Sequence, residues 1–167
     1  MHACATSPAM PSQFVAPAVL QLLLPLKHLA DVVHGARYAR RLQEWGIAVK
    51  VSLLHVQPAS RREALYQDAP PGAAADAAST QLMQEAELYL QRSHLDFASF
   101  LFSGELAFTI LDTAEMLGCH EIVLPDNGRS LWQRRLRGDL ASRLARASRS
   151  ATIVLAAQDG VSTPVSP

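Results

Sequence analysis

The sequence predicts a single doubly wound α/β domain, a five-stranded parallel sheet with helices on both faces. Three observations predict it. Short apolar runs alternate with segments of helical period along most of the chain. Those runs are apolar nearly throughout, without an inside–outside alternation, as strands buried on both faces are. Their order is β-α-β-loop-α-β-α-β-loop-α-β, and strands alternating with helices make a parallel sheet. The 167 residues suit one such domain, and 49% hydrophobic against 18% charged residues exclude a disordered chain.

Residues 1–17 hold three prolines and no period, and read as a disordered N-terminal tail. The domain runs over 18–157. Val19–Leu26 is short and apolar enough for a buried strand, with Pro25 near its end. Asp31 can cap a helix whose inner stripe is Val32, Ala36, Ala39 and Leu42, closed by Gly46. Ile47–Val56, rich in β-branched and aliphatic residues, is the second strand. Pro58, Pro70, Pro71 and Gly72 mark 57–78 as a long loop. A helix follows over about 80–93, with Leu82, Ala86 and Leu90 inward. Phe97–Phe102 is the third strand, and Leu106, Ile110, Ala114 and Leu117 stripe a helix ending at Gly118. Cys119 leads into the fourth strand, Glu121–Leu124, and 125–137 form a second loop. Gly138 opens a helix with Leu140, Leu144 and Ala147 on one face, Ala151–Ala157 is the last strand, and 158–167 is a C-terminal tail.

Lys plus Arg and Asp plus Glu are 15 each, so net charge is zero, which argues against a general nucleic-acid binder. The distribution is uneven: residues 129–149 carry seven Arg against Asp139 alone. Such an Arg run is ordinarily a solvated face, and the sharper reading is an anion clamp. Two cysteines make no disulfide framework, no signal peptide is evident, and no run approaches the ~18 apolar residues of a membrane helix. The expectation is a cytoplasmic protein with no membrane contact. Cys119 beside His120 is no catalytic pair, because adjacent strand residues point to opposite faces. His28 and His55 fall near strand ends, but no third ligand stands at motif spacing, so no metal is expected. No nucleophile, base or metal box marks an enzyme.

Parallel sheets bind ligands beyond the carboxyl ends of their strands, where the strand order reverses. Those ends are Leu26–His28, Val56–Gln57, Ser103–Gly104 and Pro125–Gly128. The stretches Leu22-Leu23-Leu24-Pro25-Leu26, Ser52-Leu53-Leu54-His55-Val56, Glu121-Ile122-Val123-Leu124-Pro125 and Ala151-Thr152-Ile153-Val154-Leu155, with Gly128 and Gly138, resemble the universal stress protein (UspA-like) family. The resemblance implies the adenine-nucleotide α-hydrolase-like fold. It implies a phosphate loop of Gly, two residues, Gly, nine residues, Gly, then Ser or Thr, and a nucleoside-binding Asp after the first strand. It also implies a homodimer paired through the last strand, Ala151 to Ala157, as the sheet edge.

The loop spacing is kept from position 125 through Gly128 and Gly138 to 139, while the residue types change to Pro125 and Asp139, and the aspartate becomes Lys27. Proline offers no N–H and fills space. Asp139 at a helix N-terminus repels phosphate. Lys27 cannot accept from ribose hydroxyls. The residues that would line the nucleotide site are Leu26, Lys27, Val56, Leu124, Pro125, Asn127, Gly128, Arg129, Gly138 and Asp139. The expectation is a regulatory or binding module with an unidentified protein partner, no cofactor, and weak or no ATP binding. The alternative is a protein that binds ATP or another adenine nucleotide with slow or no hydrolysis.

Overall fold

Each apolar run becomes a strand, and a computed structural model, which describes residues 19–58, 73–126 and 140–166, joins them in one sheet. The strands are β1 (Leu20–Leu26), β2 (Val49–Gln57), β3 (Asp96–Ser103), β4 (Glu121–Pro125), β5 (Thr152–Ala156) and β6 (Ser162–Pro164), in the order β3-β2-β1-β4-β5-β6. The helices among the described residues are α1 (Leu29–Glu44), α2 (Ala73–Arg92), α3 (Leu106–Met116) and α4 (Leu140–Ala147). None of them is long and apolar enough to cross a membrane. The expected tail 1–17 lies outside the described residues.

Strands β1 to β5 run parallel, as predicted, and one apolar layer covers each face. Leu22, Leu24 and Val51 pack with Val32 and Ala39 of α1 and Leu90 of α2. On the other face Leu23, Leu54, Ile122 and Ile153 pack with Ile110 of α3 and Leu144 of α4. Helix α1 lies unusually near β1. A Cβ built on Gly35 would meet the Leu24 side chain, with Cγ only 2.7 Å away.

Four expectations need correction. The sheet has six strands, because residues assigned to a C-terminal tail return as β6, antiparallel to β5. Asp159-Gly160 makes that hairpin: Gly160 has φ +83°, the Asp159 carboxylate accepts from Val161 N–H at 2.9 Å, and Ala157 N–H donates to the Val161 carbonyl at 2.8 Å. It follows that β5, Ala151–Ala157 in the sequence reading, is not the sheet edge; Val154, Leu155 and Ala156 are paired with Pro164, Thr163 and Ser162. Helix α2 begins at Ala73, inside the expected loop 57–78, since an alanine run is the best helix former. In α3 the buried residues are Ala107, Ile110, Thr113 and Ala114, while Leu106 is 43% exposed. Ile110 and Ala114 are thus buried as expected and Leu117 packs against the same core, but Leu106 gives way to Ala107 and Thr113; the Glu105 carboxylate caps the helix by accepting from Phe108 N–H at 2.7 Å.

The seam between β1 and β4 is short for a definite reason. Backbone groups of successive strand residues point alternately to the two neighbours. Leu20 N–H donates to the Ala48 carbonyl beside β2, whereas the Gln21 carbonyl accepts from His120 N–H at 2.9 Å, so odd residues of β1 face β4. On β4, Asp126 N–H donates to the Ala156 carbonyl, so even residues there face β5 and odd ones face β1. The register is Leu22↔Glu121 and Leu23↔Ile122. Continuing it would need the amide of residue 25 to donate to the Val123 carbonyl and that of residue 125 to donate to the Pro25 carbonyl. Both residues are proline and have no N–H. The ladder stops after Leu23, while β1 stays paired with β2 through Leu26. A crevice opens there, between the strands where the chain's progress along the sheet reverses.

Below the crevice, Tyr38 of α1 donates its hydroxyl to Glu121 Oε2 at 2.8 Å. Burial first, and then the Glu121 carboxylate, push the phenol up to about 12 from its ordinary 10.0.

Two predictions test these seams. In Pro25→Ala with Pro125→Ala, the new amides should exchange slowly with solvent because the ladder lengthens; rapid exchange at residue 25 would refute the explanation. Net stability should move little, since a gained hydrogen bond of about 1 kcal/mol is offset by the freer unfolded chain. Tyr38→Phe should cost about 1 kcal/mol in urea unfolding at pH 8. Because the folded-state pKa is raised, the hydroxyl's contribution is complete below pH 10 and is lost as pH climbs through about 12. The gap between wild type and Tyr38→Phe should therefore narrow over that interval, and a constant gap would contradict the assignment.

Candidate functional site

The crevice is bounded by the ends of β1 and β4 and by the first turn of α1. Helix N-termini carry amides without intrahelical partners and attract anions. Here an internal anion is already in place: Asp31 Oδ2 accepts from Lys27 N–H at 2.9 Å and His28 N–H at 2.8 Å. Asp31 is therefore not the helix cap that the sequence pattern indicates; His28 holds that position and Asp31 lies three residues into the helix.

The neighbouring strand ends are tied by histidines. His55 Nδ1–H donates to the Leu26 carbonyl at 2.8 Å. That tautomer leaves Nε2 to accept from the Ser79 hydroxyl of α2 at 3.1 Å. His34 Nδ1–H donates to the Ala156 carbonyl at 3.0 Å. Sequence reasoning noted His55 only for its place at a strand end and missed His34 and Ser79; a polar residue on an otherwise apolar helix face is the one signal they offered.

Leu26, Lys27, Val56, Leu124 and Pro125, all predicted for the site, do lie at the carboxyl ends of β1, β2 and β4. Their contributions differ. The Leu26 side chain is buried in the α1/α2 core and that of Leu124 in the α3/α4 core, so only their backbones face the crevice end. Val56 is half-buried against the α3/α4 core. Lys27 is exposed and Pro125 is half-buried. Asn127, Gly128, Arg129, Gly138 and Asp139 lie outside the described residues.

Among the described residues, the crevice is richer in acceptors than in donors. Its backbone seam has lost two amides to Pro25 and Pro125, the Lys27 and His28 amides that lead into α1 are engaged by Asp31, and among the described residues the positive charge at the mouth is Lys27. Such a lining suits a ligand that donates hydrogen bonds better than a polyphosphate.

Other reactive groups stand apart from it. The Cys119 thiol is 3% exposed in the α3/α4 core, and burial pushes its pKa up, against the opposing hydrogen bond with Ser52. His120 is exposed, so the adjacent pair is split as strand geometry requires. Among the described residues no three His, Cys, Asp or Glu side chains are grouped to hold a metal. Arg143 pairs with Glu105 at 3.1 Å, and the phenylalanine amide capped by Glu105 is the main reason this carboxyl titrates below its usual range.

The model of the universal stress protein family matches residues 29–155. Solved structures of that family share the fold. A universal stress protein in complex with cAMP has TM-score 0.57 at 12% identity, covering 83% of this chain and 97% of the other. The universal stress protein UspA from Lactobacillus plantarum has TM-score 0.59 at 17%, covering 82% and 97%. The Archaeoglobus fulgidus universal stress protein in complex with dAMP has TM-score 0.57 at 11%, covering 84% and 98%. A search of curated sequences gives no match. At these identities the structural likeness concerns the fold alone. The family match spans most of the chain and every strand from β2 to β5, and on that ground the chain belongs to the universal stress protein family.

Proposed function

We propose that this protein is a regulatory or binding module of the universal stress protein type, non-catalytic and cytoplasmic, which binds ATP weakly or not at all. The observation that carries the reading is the end of the β1–β4 ladder after Leu23, where Pro25 on one strand and Pro125 on the other each lack the N–H that would continue it. In place of a glycine whose amide meets a phosphate, Pro125 presents a ring and no donor. Lys27 and Asp31 add to it: one cannot accept from a ribose, and the other occupies the Lys27 and His28 amides at the entry to α1 with its own carboxylate. In sequence, Asp139 also stands in place of a hydroxyl at the end of the Gly128–Gly138 spacing.

A second reading rests on the relatives that hold cAMP and dAMP. These ligands carry a single phosphate, and adenine brings an amino donor that an acceptor-lined crevice can receive. Under this reading Leu26 and Val56 would meet the base through their backbones, and the triphosphate would gain nothing over the monophosphate.

Calorimetric titration with Mg-ATP and with dAMP distinguishes the two, beside mass spectrometry of any nucleotide released on denaturation. The first reading expects no released nucleotide and a Kd for ATP above roughly 100 μM, weaker than about 5.5 kcal/mol. Low-micromolar ATP binding overturns it, and low-micromolar dAMP binding with weak ATP binding establishes the second. The loop should also be repairable. Lys27→Asp, Pro125→Gly and Asp139→Ser together should tighten ATP binding by at least about tenfold, or 1.4 kcal/mol, with little from any single change because the three share one site. A smaller gain would mean that these residues are not what weakens the site.

A further inference from the structure

We infer that the outer edge of β3 is an interface for a second copy of this chain, paired antiparallel about a twofold axis. The two ends of the sheet are treated differently. The β5 edge is covered by β6, which is three residues long and ends in Pro164, a residue that blunts an edge. At the other end β3 runs for eight residues, and among the described residues no strand pairs with its outer side.

The facing of β3 can be read from one bond. Gly104 N–H donates to the Gln57 carbonyl at 3.0 Å, so even residues of β3 bond to β2. The amides and carbonyls of Phe97, Ser99, Leu101 and Ser103 then point outward. None of the four is proline, and none is charged. Leu101 is 44% exposed and Phe102 37%, with Leu106 and Phe108 in the first turn of α3 exposed at 43% and 68%. A long apolar edge without lysine, proline or bulge is what natural sheets avoid unless something covers it.

The pattern is self-complementary. With Phe100 on the twofold axis, Phe97 meets Ser103 of the partner subunit and Ser99 meets Leu101 of the partner subunit, each with its reciprocal. Four pairs with two bonds each give about eight hydrogen bonds, and a shift to the neighbouring symmetric registers leaves part of the outward set without a partner inside the strand. In this register Phe100 stands against its own copy, beside the Phe100–Phe102 ring pair whose centroids are 6.2 Å apart. Aromatic cross-strand pairs stabilise such contacts. Asp96, the charged residue of β3, falls opposite the glycine beyond the partner's strand, so no like charges meet.

Hydrogen exchange read amide by amide, together with light scattering at micromolar concentration, tests the interface independently of any nucleotide. The expected result is a dimer in which Phe97, Ser99, Leu101 and Ser103 amides exchange slowly, and exchange faster on dilution. Leu101→Lys and Leu101→Pro should each raise the dimer dissociation constant by at least about tenfold with an unchanged circular dichroism spectrum. The proline variant keeps the β2 ladder, since the Leu101 amide points away from it. A monomeric wild type overturns the inference. So does a dimer whose odd amides exchange rapidly, and so does slow exchange of those amides in a monomer, which would assign the edge to another segment of the same chain.

Discussion

Two missing amide protons organise this molecule. Parallel strands stay together by evenly spaced hydrogen bonds, and β1 and β4 lose the next two donors in their ladder at residues 25 and 125. Each lost bond is worth about 1 kcal/mol, a small cost where the freed carbonyls can meet water or a ligand. The consequence is geometric. With β1 held to β2 and β4 held to β5, the sheet parts at its middle, at the position where crossovers leave in both directions. The mouth of the crevice takes its position from that parting, with α1 and the histidine ties at the strand ends beside it.

The fold was legible because its determinants are local and repeated. Strand β1 was read as Val19–Leu26 and is Leu20–Leu26; the stripe Val32, Ala36, Ala39, Leu42 is buried as read. The errors fall where two local signals compete. Asp159-Gly160 is a hairpin signal, but the three residues that follow include Pro164 and look like a tail. The sequence of α3 admits two adjacent apolar stripes, and only docking against Leu23, Leu54 and Ile122 selects the one with Ala107. Asp31 reads equally well as a cap or as a third-position acceptor, and the exposed backbone of Lys27 and His28 decides it.

The site was legible in position and less so in character. Lys27 and Pro125 were found because strand ends and loop spacing locate them, and Leu26 and Leu124 came with them although their side chains belong to the two cores. What the sequence concealed was cooperation between distant residues. Pro25 in isolation looks like the end of a strand, and Pro125 looks like a lost glycine. Only the register, in which both would supply the next two donors after Leu23, reveals that they remove donors from the same seam. His34 and His55 were concealed for the same reason, since their partners are carbonyls 122 and 29 residues away.

The contact between Gly35 and Leu24 has a mechanical meaning. Leu24 is 2% exposed, with packed neighbours around it, so it cannot swing aside to admit even a methyl group on the helix. Helix α1 therefore rests on the sheet with no slack, as a beam seated in a notch does. Sliding by a turn would drive the side chains flanking Gly35 into the place only a hydrogen can occupy. The wall of the crevice that α1 forms, with Asp31 in its first turn, is accordingly a rigid boundary, its position fixed by the sheet beneath it.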